Sequence, residues 1–308
     1  MNAVILGYGV VGKGIEILAK ALDDINIKYV YVRKEKENLP YFSNDEDMVV
    51  QDDIDIVFEC LNGLEPANTL IQKALKKGKH VISSNKAVVA TYLDTYLELE
   101  KEYGGSIQVE ACVAGGIPFI DALLKLKRLE PLQGYEGIFN GTSNYILDSM
   151  QKNNLDFEDV LKEAQDKGYA EKDPSNDIDG VDVYYKTKIS NSLAFNTPIV
   201  DIPYYAGIRT IKMLDIKFIK MNNKVIRHLS ISRQIDDKII SIIAPCCMDE
   251  NDFLANVPSN YNAQKILSHS FDTLGYYGQG AGQLPTAQAM VQNALDTLEN
   301  KERKIVYS

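Results

Sequence analysis

The chain has 308 residues, 45% of them hydrophobic and 25% charged, with a formal net charge of −10. That length accommodates two domains or one large one and leaves ample apolar material for a core. The acidic balance argues against a nucleic-acid partner, whose affinity would come from Lys and Arg neutralising phosphates, and mainly favours solubility. The N-terminal apolar run is too short, and lacks the basic flank, for a signal peptide. No stretch approaches the ~20 apolar residues of a membrane span. Cys60, Cys112, Cys246 and Cys247 lack metal-type or redox spacing and read as reduced. A cytoplasmic protein with no membrane partner is expected.

In chain order, residues 3–6 form a short apolar strand. The glycine turn Gly7-Tyr8-Gly9-Val10-Val11-Gly12 follows, then a helical pattern over 14–22. Further strands fall at 27–32, 54–60 and 79–82, with a helix over 66–77 stopped by Gly78. Strands alternating with helices imply a doubly wound parallel α/β sheet. A strand over 107–113 leads to the turn from Ala114 to Pro118 and an amphipathic helix to about Lys127. Strands are expected at 135–139, 225–232 and 238–244, with helices centred on Ile146, Leu161, Lys188 and Ile266. These make an α+β substrate and dimerisation domain over 116–284. The last helical pattern runs over 286–298, and the C-terminal segment 285–308 that contains it is expected to complete the dinucleotide-binding domain of 1–115.

In a dinucleotide fold the first glycine makes the tight turn, the second admits the pyrophosphate, and the third lets helix and strand approach. Gly7, Gly9 and Gly12 suit those roles, and Val10 and Val11 open a helix whose free N–H groups favour an anion. A purely structural turn is the alternative. The second strand ends Val32-Arg33-Lys34, where NAD-specific sites place an acidic residue on the ribose 2′-hydroxyl. Two cations suit a 2′-phosphate. NADP(H) with Arg33 as a contact is therefore favoured, and NAD(H) with Glu35 or Glu37 on the ribose is the alternative.

The chemistry concentrates in 168–186. Asp156 and Asp159 suit an N-terminal capping pair for a helix to Lys167, with Gly168 as its stop. Asp173-Pro174 blocks continuation, so Glu171 lies on a loop. Asp179 can cap a new helix on which Asp182, Lys186, Ile189 and Leu193 share one face. A charged pair beside apolar side chains is partly desolvated, needs a partner and frequently marks a functional site. An exposed pair worth ~0.3 to 0.5 kcal/mol is the alternative.

Several ordered motifs carry a resemblance: Ser83-Ser84-Asn85-Lys86-Ala87; the run from Glu110 to Pro118; Gly137-Ile138-Phe139-Asn140-Gly141-Thr142-Ser143-Asn144-Tyr145; Gly168-Tyr169-Ala170-Glu171-Lys172-Asp173-Pro174; Asp177 to Asp182 with Lys186; and the run from Gly278 to Ala287. Together they closely resemble the homoserine dehydrogenase family across nearly all of the chain. Gln279 and Gln283 depart from the family's usual Arg and Gly, and 212–238 matches only loosely. The resemblance implies reversible NAD(P)-linked interconversion of L-aspartate 4-semialdehyde and L-homoserine, on the route to threonine and methionine. It also implies a homodimer, in a short form without the C-terminal regulatory domain of many members.

By the same resemblance, Lys186 and Lys86 are catalytic, with Lys186 moving the proton at the substrate oxygen. Glu171, Asp177 and Asp182 bind substrate and shape the polar site. Two nearby ammonium groups and partial burial would lower the pKa of Lys186. Nucleotide contacts extend to Asn62, Ser84, Lys86, Gly168 and Gly282. The family's monovalent cation, usually sodium, falls on Glu110, Val113, Gly115 and Ile117. His80, His228 and His269 are scattered and read as structural. The rivals are an oxidoreductase acting directly on aspartate, disfavoured by the 171–186 signature, and an inactive cofactor-binding sensor, disfavoured by the presence of Lys86 and Lys186.

Overall fold

Residues 3 to 6 have no exposed surface at all, as expected of a strand flanked by neighbours and covered on both faces. The computed structural model describes residues 1–32 and 41–299, so Arg33, Glu35 and Glu37 lie outside the described residues. Its first sheet contains β1 (Asn2–Leu6), β2 (Asn26–Tyr31), β3 (Phe42–Ser43), β4 (Ile56–Glu59), β5 (His80–Ser83) and β6 (Ser106–Gln108). All pairs are parallel, in the order β3-β2-β1-β4-β5-β6. This is the dinucleotide-binding order, and its reversal point lies between β1 and β4. Leu6 pairs with Glu59 and Glu59 with Ser83, so three strands end in register and their loops leave one edge.

Helices α1 (Val10–Ala19), α2 (Ala67–Leu75) and α3 (Lys86–Tyr103) connect these strands. α1 starts earlier than the expected residue 14, directly on the glycine turn. α3 is absent from the expected pattern because its buried Val88, Leu93 and Tyr96 are interleaved with tyrosines and carboxylates. The closing helix, Gln283–Leu298, packs on α1: a Cβ on Gly14 would lie 2.8 Å from both the Ala287 Cβ and the Gln283 carbonyl. The strand expected over 107–113 is cut short. Only Ser106–Gln108 pairs, and Glu110–Cys112 winds into a 3-10 turn.

The chain divides into two compact units, Met1–Asp121 with the chain from Ala281 onward, and Ala122–Gly280. α4 (Phe119–Leu126) precedes the antiparallel sheet of the second unit. That sheet contains β7 (Gly134–Ile138), β8 (Lys224–Ile235), β9 (Lys238–Asp249), β10 (Asn262–Ser268) and β11 (Asp272–Gly278), in the order β11-β10-β7-β8-β9. The helix expected around Ile266 is instead β10. Lys, Gln, Ala and Leu there favour a helix, but pairing with β7 and β11 on both sides overrides a propensity worth only tenths of a kcal/mol per residue.

The remaining helices are α5 (Gly141–Asn153), α6 (Phe157–Asp166), α7 (Ser175–Ile178), α8 (Val181–Phe195) and α9 (Met213–Met221). Ile146, Met150, Val160, Ile178 and Ile216 form a buried cluster that fixes α5, α6, α7 and α9 to one another. Among the described residues no helix is long and apolar enough to cross a membrane.

Candidate active site and nucleotide site

Each glycine of the first turn meets a different physical demand. Gly7 has φ +94°, a left-handed conformation, and a Cβ there would lie 2.9 Å from the Cys60 carbonyl. A Cβ on Gly12 would lie 2.1 Å from the Gly7 carbonyl, whereas nothing stands within 4 Å of one on Gly9. Gly9 is also the N-cap of α1 and supplies no side chain to its first N–H groups, with Val10 and Val11 opening the helix. Open space and unpaired donors together suit an anionic group such as a pyrophosphate.

The neighbouring loops bring Asn62, exposed after β4, and Ser84 and Lys86, after β5, to the same sheet edge. Ser84 N donates to the Glu59 carbonyl at 3.0 Å. Asn85 caps α3 through Val88 N, which makes Lys86 the first residue of that helix. Gly282 is the N-cap of the closing helix with φ +127°.

The expected cation turn is sharply kinked, with Ala114 and Gly115 at φ +61° and +56°. Glu110 is buried, and its carboxylate accepts from Ile120 N at 3.0 Å and Asp121 N at 2.6 Å. Burial, aided by the Asp121 charge, pushes its pKa up to about 8. Among the described residues no basic side chain forms an ion pair with it. The Ile117 carbonyl accepts from Phe119 N at 2.7 Å, and Val113 and Gly115 lie on the same turn. A buried carboxylate beside a kinked turn, with no ion pair to a basic side chain among the described residues, is a donor type that fits a hard monovalent cation.

In the second unit Asp182 and Lys186 meet as the helical spacing requires. Lys186 Nζ donates to Asp182 Oδ2 at 2.7 Å and to the Phe139 carbonyl at 2.6 Å, and both side chains are buried, 8% and 5% exposed. An ammonium has three N–H donors. The third has no acceptor among the described residues.

Asp177 joins the group through Asn140. Its Nδ2 donates to Asp177 Oδ1 at 2.7 Å and to Asp182 Oδ2 at 2.9 Å, and its Oδ1 accepts from Ser143 N at 2.8 Å, capping α5. Asn140 falls within one of the sequence motifs, where nothing in its immediate neighbours assigns it a role. Its position at the end of β7 and the start of α5 is the signal that could have found it, since Asn is a preferred N-cap. Next to it His228 is buried and neutral, its pKa lowered to about 4 by burial. Its Nε2 faces the Ala206 carbonyl at 2.9 Å and its Nδ1 the Ser143 hydroxyl at 3.2 Å.

Glu171 lies on the expected loop, exposed and without a hydrogen bond to these residues. Gly168 ends α6 with φ +75°. Two capping expectations are corrected. Asp156 occupies the N-cap of α6 without a side-chain bond to it. Asp179 does not cap α8, because the Arg209 fork takes both its oxygens at 2.7 and 2.8 Å, and Gly180, at φ +87°, is the N-cap.

Comparison with known proteins gives concordant results. A family model described as homoserine dehydrogenase matches residues 118–295, and one described as homoserine dehydrogenase, NAD binding domain, matches residues 7–110. The chain is 38% identical over 251 residues to a homoserine dehydrogenase of Neisseria gonorrhoeae, covering 81% of this chain and 58% of the relative. It is 32% identical over 309 residues to that of Pseudomonas aeruginosa, covering 96% and 71%. The crystal structure of a homoserine dehydrogenase from Thiobacillus denitrificans superposes with a TM-score of 0.92 at 33% identity, covering 100% of this chain and 76% of the other. The chain thus spans 58% to 76% of the length of these relatives.

Proposed function

This chain belongs to the homoserine dehydrogenase family, oxidoreductases acting on a CH–OH group and carrying a pyridine-nucleotide-binding domain, and from that premise we infer that it reversibly reduces L-aspartate 4-semialdehyde to L-homoserine. The observation that carries the inference is the buried Lys186, held by Asp182 and Phe139 with one N–H left over. That N–H is the proton source for the substrate.

Reduction adds a hydride to the carbonyl carbon and a proton to its oxygen. A nicotinamide nucleotide, when bound, supplies or accepts the hydride. Lys186 Nζ gives the proton to the developing alkoxide and, in the reverse direction, takes it from the hydroxyl. Asp182 and the Phe139 carbonyl hold the amine at that oxygen. Glu171 receives the substrate ammonium on its exposed loop, and Asp177 shapes the polar wall beside Asp182. Lys86 completes the catalytic set.

Gly7, Gly9, Val10, Val11 and Gly12 would hold the pyrophosphate, and Asn62, Ser84, Gly168 and Gly282 are proposed as further nucleotide contacts. NADP(H) is the favoured nucleotide because Arg33 and Lys34 suit a 2′-phosphate, and NAD(H) is the alternative. Glu110, with Val113, Gly115 and Ile117, would hold sodium and stabilise the turn. The working form is a cytoplasmic homodimer with a small-molecule substrate and no nucleic-acid partner. Following NADPH absorbance with aspartate semialdehyde, then NADP reduction with homoserine, tests the activity. No signal in either direction, with either NADPH or NADH, removes it.

A further inference from the structure

β4 ends on a carboxylate with no exposed surface. Glu59 lies at the end of Ile56–Glu59, a strand otherwise apolar and wholly buried. Among the described residues no basic side chain forms an ion pair with it, and burial pushes its pKa up to about 7. A carboxyl group kept there needs an explanation beyond packing, because an apolar residue of similar size would fill the space without the desolvation penalty.

Its hydrogen bonds supply one. Glu59 Oε2 accepts from Ser83 Oγ at 2.5 Å, and Oε1 accepts from Leu61 N at 2.8 Å and Asn85 Nδ2 at 3.4 Å. Leu61 N and Asn85 Nδ2 can only donate, so Oε1 must accept, while the Ser83 hydroxyl, which itself accepts from Asn85 N, donates to Oε2. Asn85 extends the network. Its Nδ2 also donates to the Gly63 carbonyl at 2.8 Å, its N donates to Ser83 Oγ at 3.0 Å, and its Oδ1 caps α3. The loop after β4 and the loop after β5 are therefore tied through one carboxylate, with Asn62 inside the first tie and Ser84 and Lys86 on either side of Asn85.

We propose that Glu59 is a positioning residue that holds the Asn62 loop and the Ser84 to Lys86 loop in a single spacing for the nicotinamide nucleotide. The inference rests on the assignment of Asn62, Ser84 and Lys86 as nucleotide contacts. It assigns Glu59 no contact with substrate or nucleotide. Its effect passes through Ser83, Leu61 and Asn85.

The test is NADPH binding by fluorescence titration, with the KM for homoserine at saturating nucleotide measured alongside. Glu59→Gln keeps the shape but sets an amide N–H against Ser83 Oγ, so that hydroxyl must turn its own hydrogen away and the Ser83 to Glu59 tie is re-made in the opposite sense. The altered tie should raise the NADPH dissociation constant roughly threefold or more. The homoserine KM at saturating nucleotide should change by less than about twofold, because Glu171, Asp177 and Asp182, the residues assigned to substrate binding, are not tied to Glu59. Glu59→Asp keeps the charge and should fall between Gln and the parent. Ser83→Ala removes one donor while leaving the strand apolar, and it carries the test if the Gln variant does not fold. Its NADPH affinity should weaken less than that of Glu59→Gln.

NADPH binding within about twofold of the parent in the folded variant overturns the proposal, as does an equal loss for homoserine, which marks general damage. Asn62→Ala and Ser84→Ala are titrated in parallel. If they bind NADPH as the parent does, the assignment of contacts fails and the proposal with it. If they weaken while Glu59→Gln does not, the proposal fails alone.

Discussion

Lys186 stands 2.7 Å from Asp182, one helical turn away on α8, with both side chains buried. At the surface such a pair would be worth a few tenths of a kcal/mol. Buried, it is costly unless other groups satisfy it, and here Phe139 and Asn140 do so. Lys186→Ala should therefore lower turnover by a factor on the order of 10² or more, the share that a positioned acid–base group supplies. The NADPH dissociation constant should stay near the parent value. Steady-state kinetics with nucleotide titration checks both, and nearly unchanged turnover removes Lys186 from the proton-transfer role.

Asn140 separates capping from chemistry. Asn140→Asp keeps an acceptor for Ser143 N but loses the donor shared by Asp177 and Asp182, and brings a third carboxylate to them. Turnover should fall by roughly tenfold or more, since the buried Asp182 and the half-buried Asp177 each lose a donor and gain a neighbouring charge. Asn140→Ala loses the cap as well and should cost about 1 kcal/mol or more in unfolding free energy. Denaturant melts and kinetics on the two variants distinguish the contributions. An Asn140→Asp enzyme as active as the parent shows that the hub does not matter.

What the sequence shows of this protein follows the range of the forces involved. The glycine turn was legible because each glycine answers a local demand, whether a positive φ, an open N-cap or a close strand–helix approach. Asp182 and Lys186 were legible because helical periodicity alone puts them on one face. Asn140 and Glu59 were not, since their partners lie 42 and 24 residues away along the chain. Glu59 in particular hides within an apolar strand, where a lone carboxylate reads as a strand end. The helix expected at Ile266 failed for a related reason: strand pairing on both sides decided the conformation against local preference.

The glycines predict opposite kinds of damage. Gly9→Ala meets no atom of the protein within 4 Å, so its melting temperature should stay within a few degrees of the parent while NADPH binding weakens roughly tenfold or more. Gly12→Ala drives a Cβ into the Gly7 carbonyl and should lower stability first. Calorimetry with nucleotide titration separates the two. A Gly9→Ala protein that binds NADPH normally argues that the turn is purely structural.

The proposed preference for NADP(H) is tested at Arg33, which lies outside the described residues. Arg33→Ala should reduce the preference for NADPH over NADH roughly tenfold, the worth of a charge-assisted hydrogen bond to a 2′-phosphate. Comparing kcat/KM with the two nucleotides, before and after substitution, measures it. An unchanged ratio moves the selectivity elsewhere, and a parent enzyme that prefers NADH points to Glu35 or Glu37 on the ribose.

Glu110 makes the cation testable through pH. Its pKa rises from 4.5 to about 8 on folding, so between those values the folded state binds more protons than the unfolded state. The cation-free protein must then lose stability as pH climbs through that window. A sodium ion at the carboxylate favours its ionised form and offsets the loss. Sodium should accordingly raise the melting temperature more at about pH 9 than at about pH 6, compared with choline at equal ionic strength. Glu110→Gln should abolish that pH-dependent increment, since the carboxylate that titrates is gone. A sodium effect equal at the two pH values, or surviving in the Gln variant, is ionic strength acting elsewhere and leaves Glu110 as the cap of α4 alone.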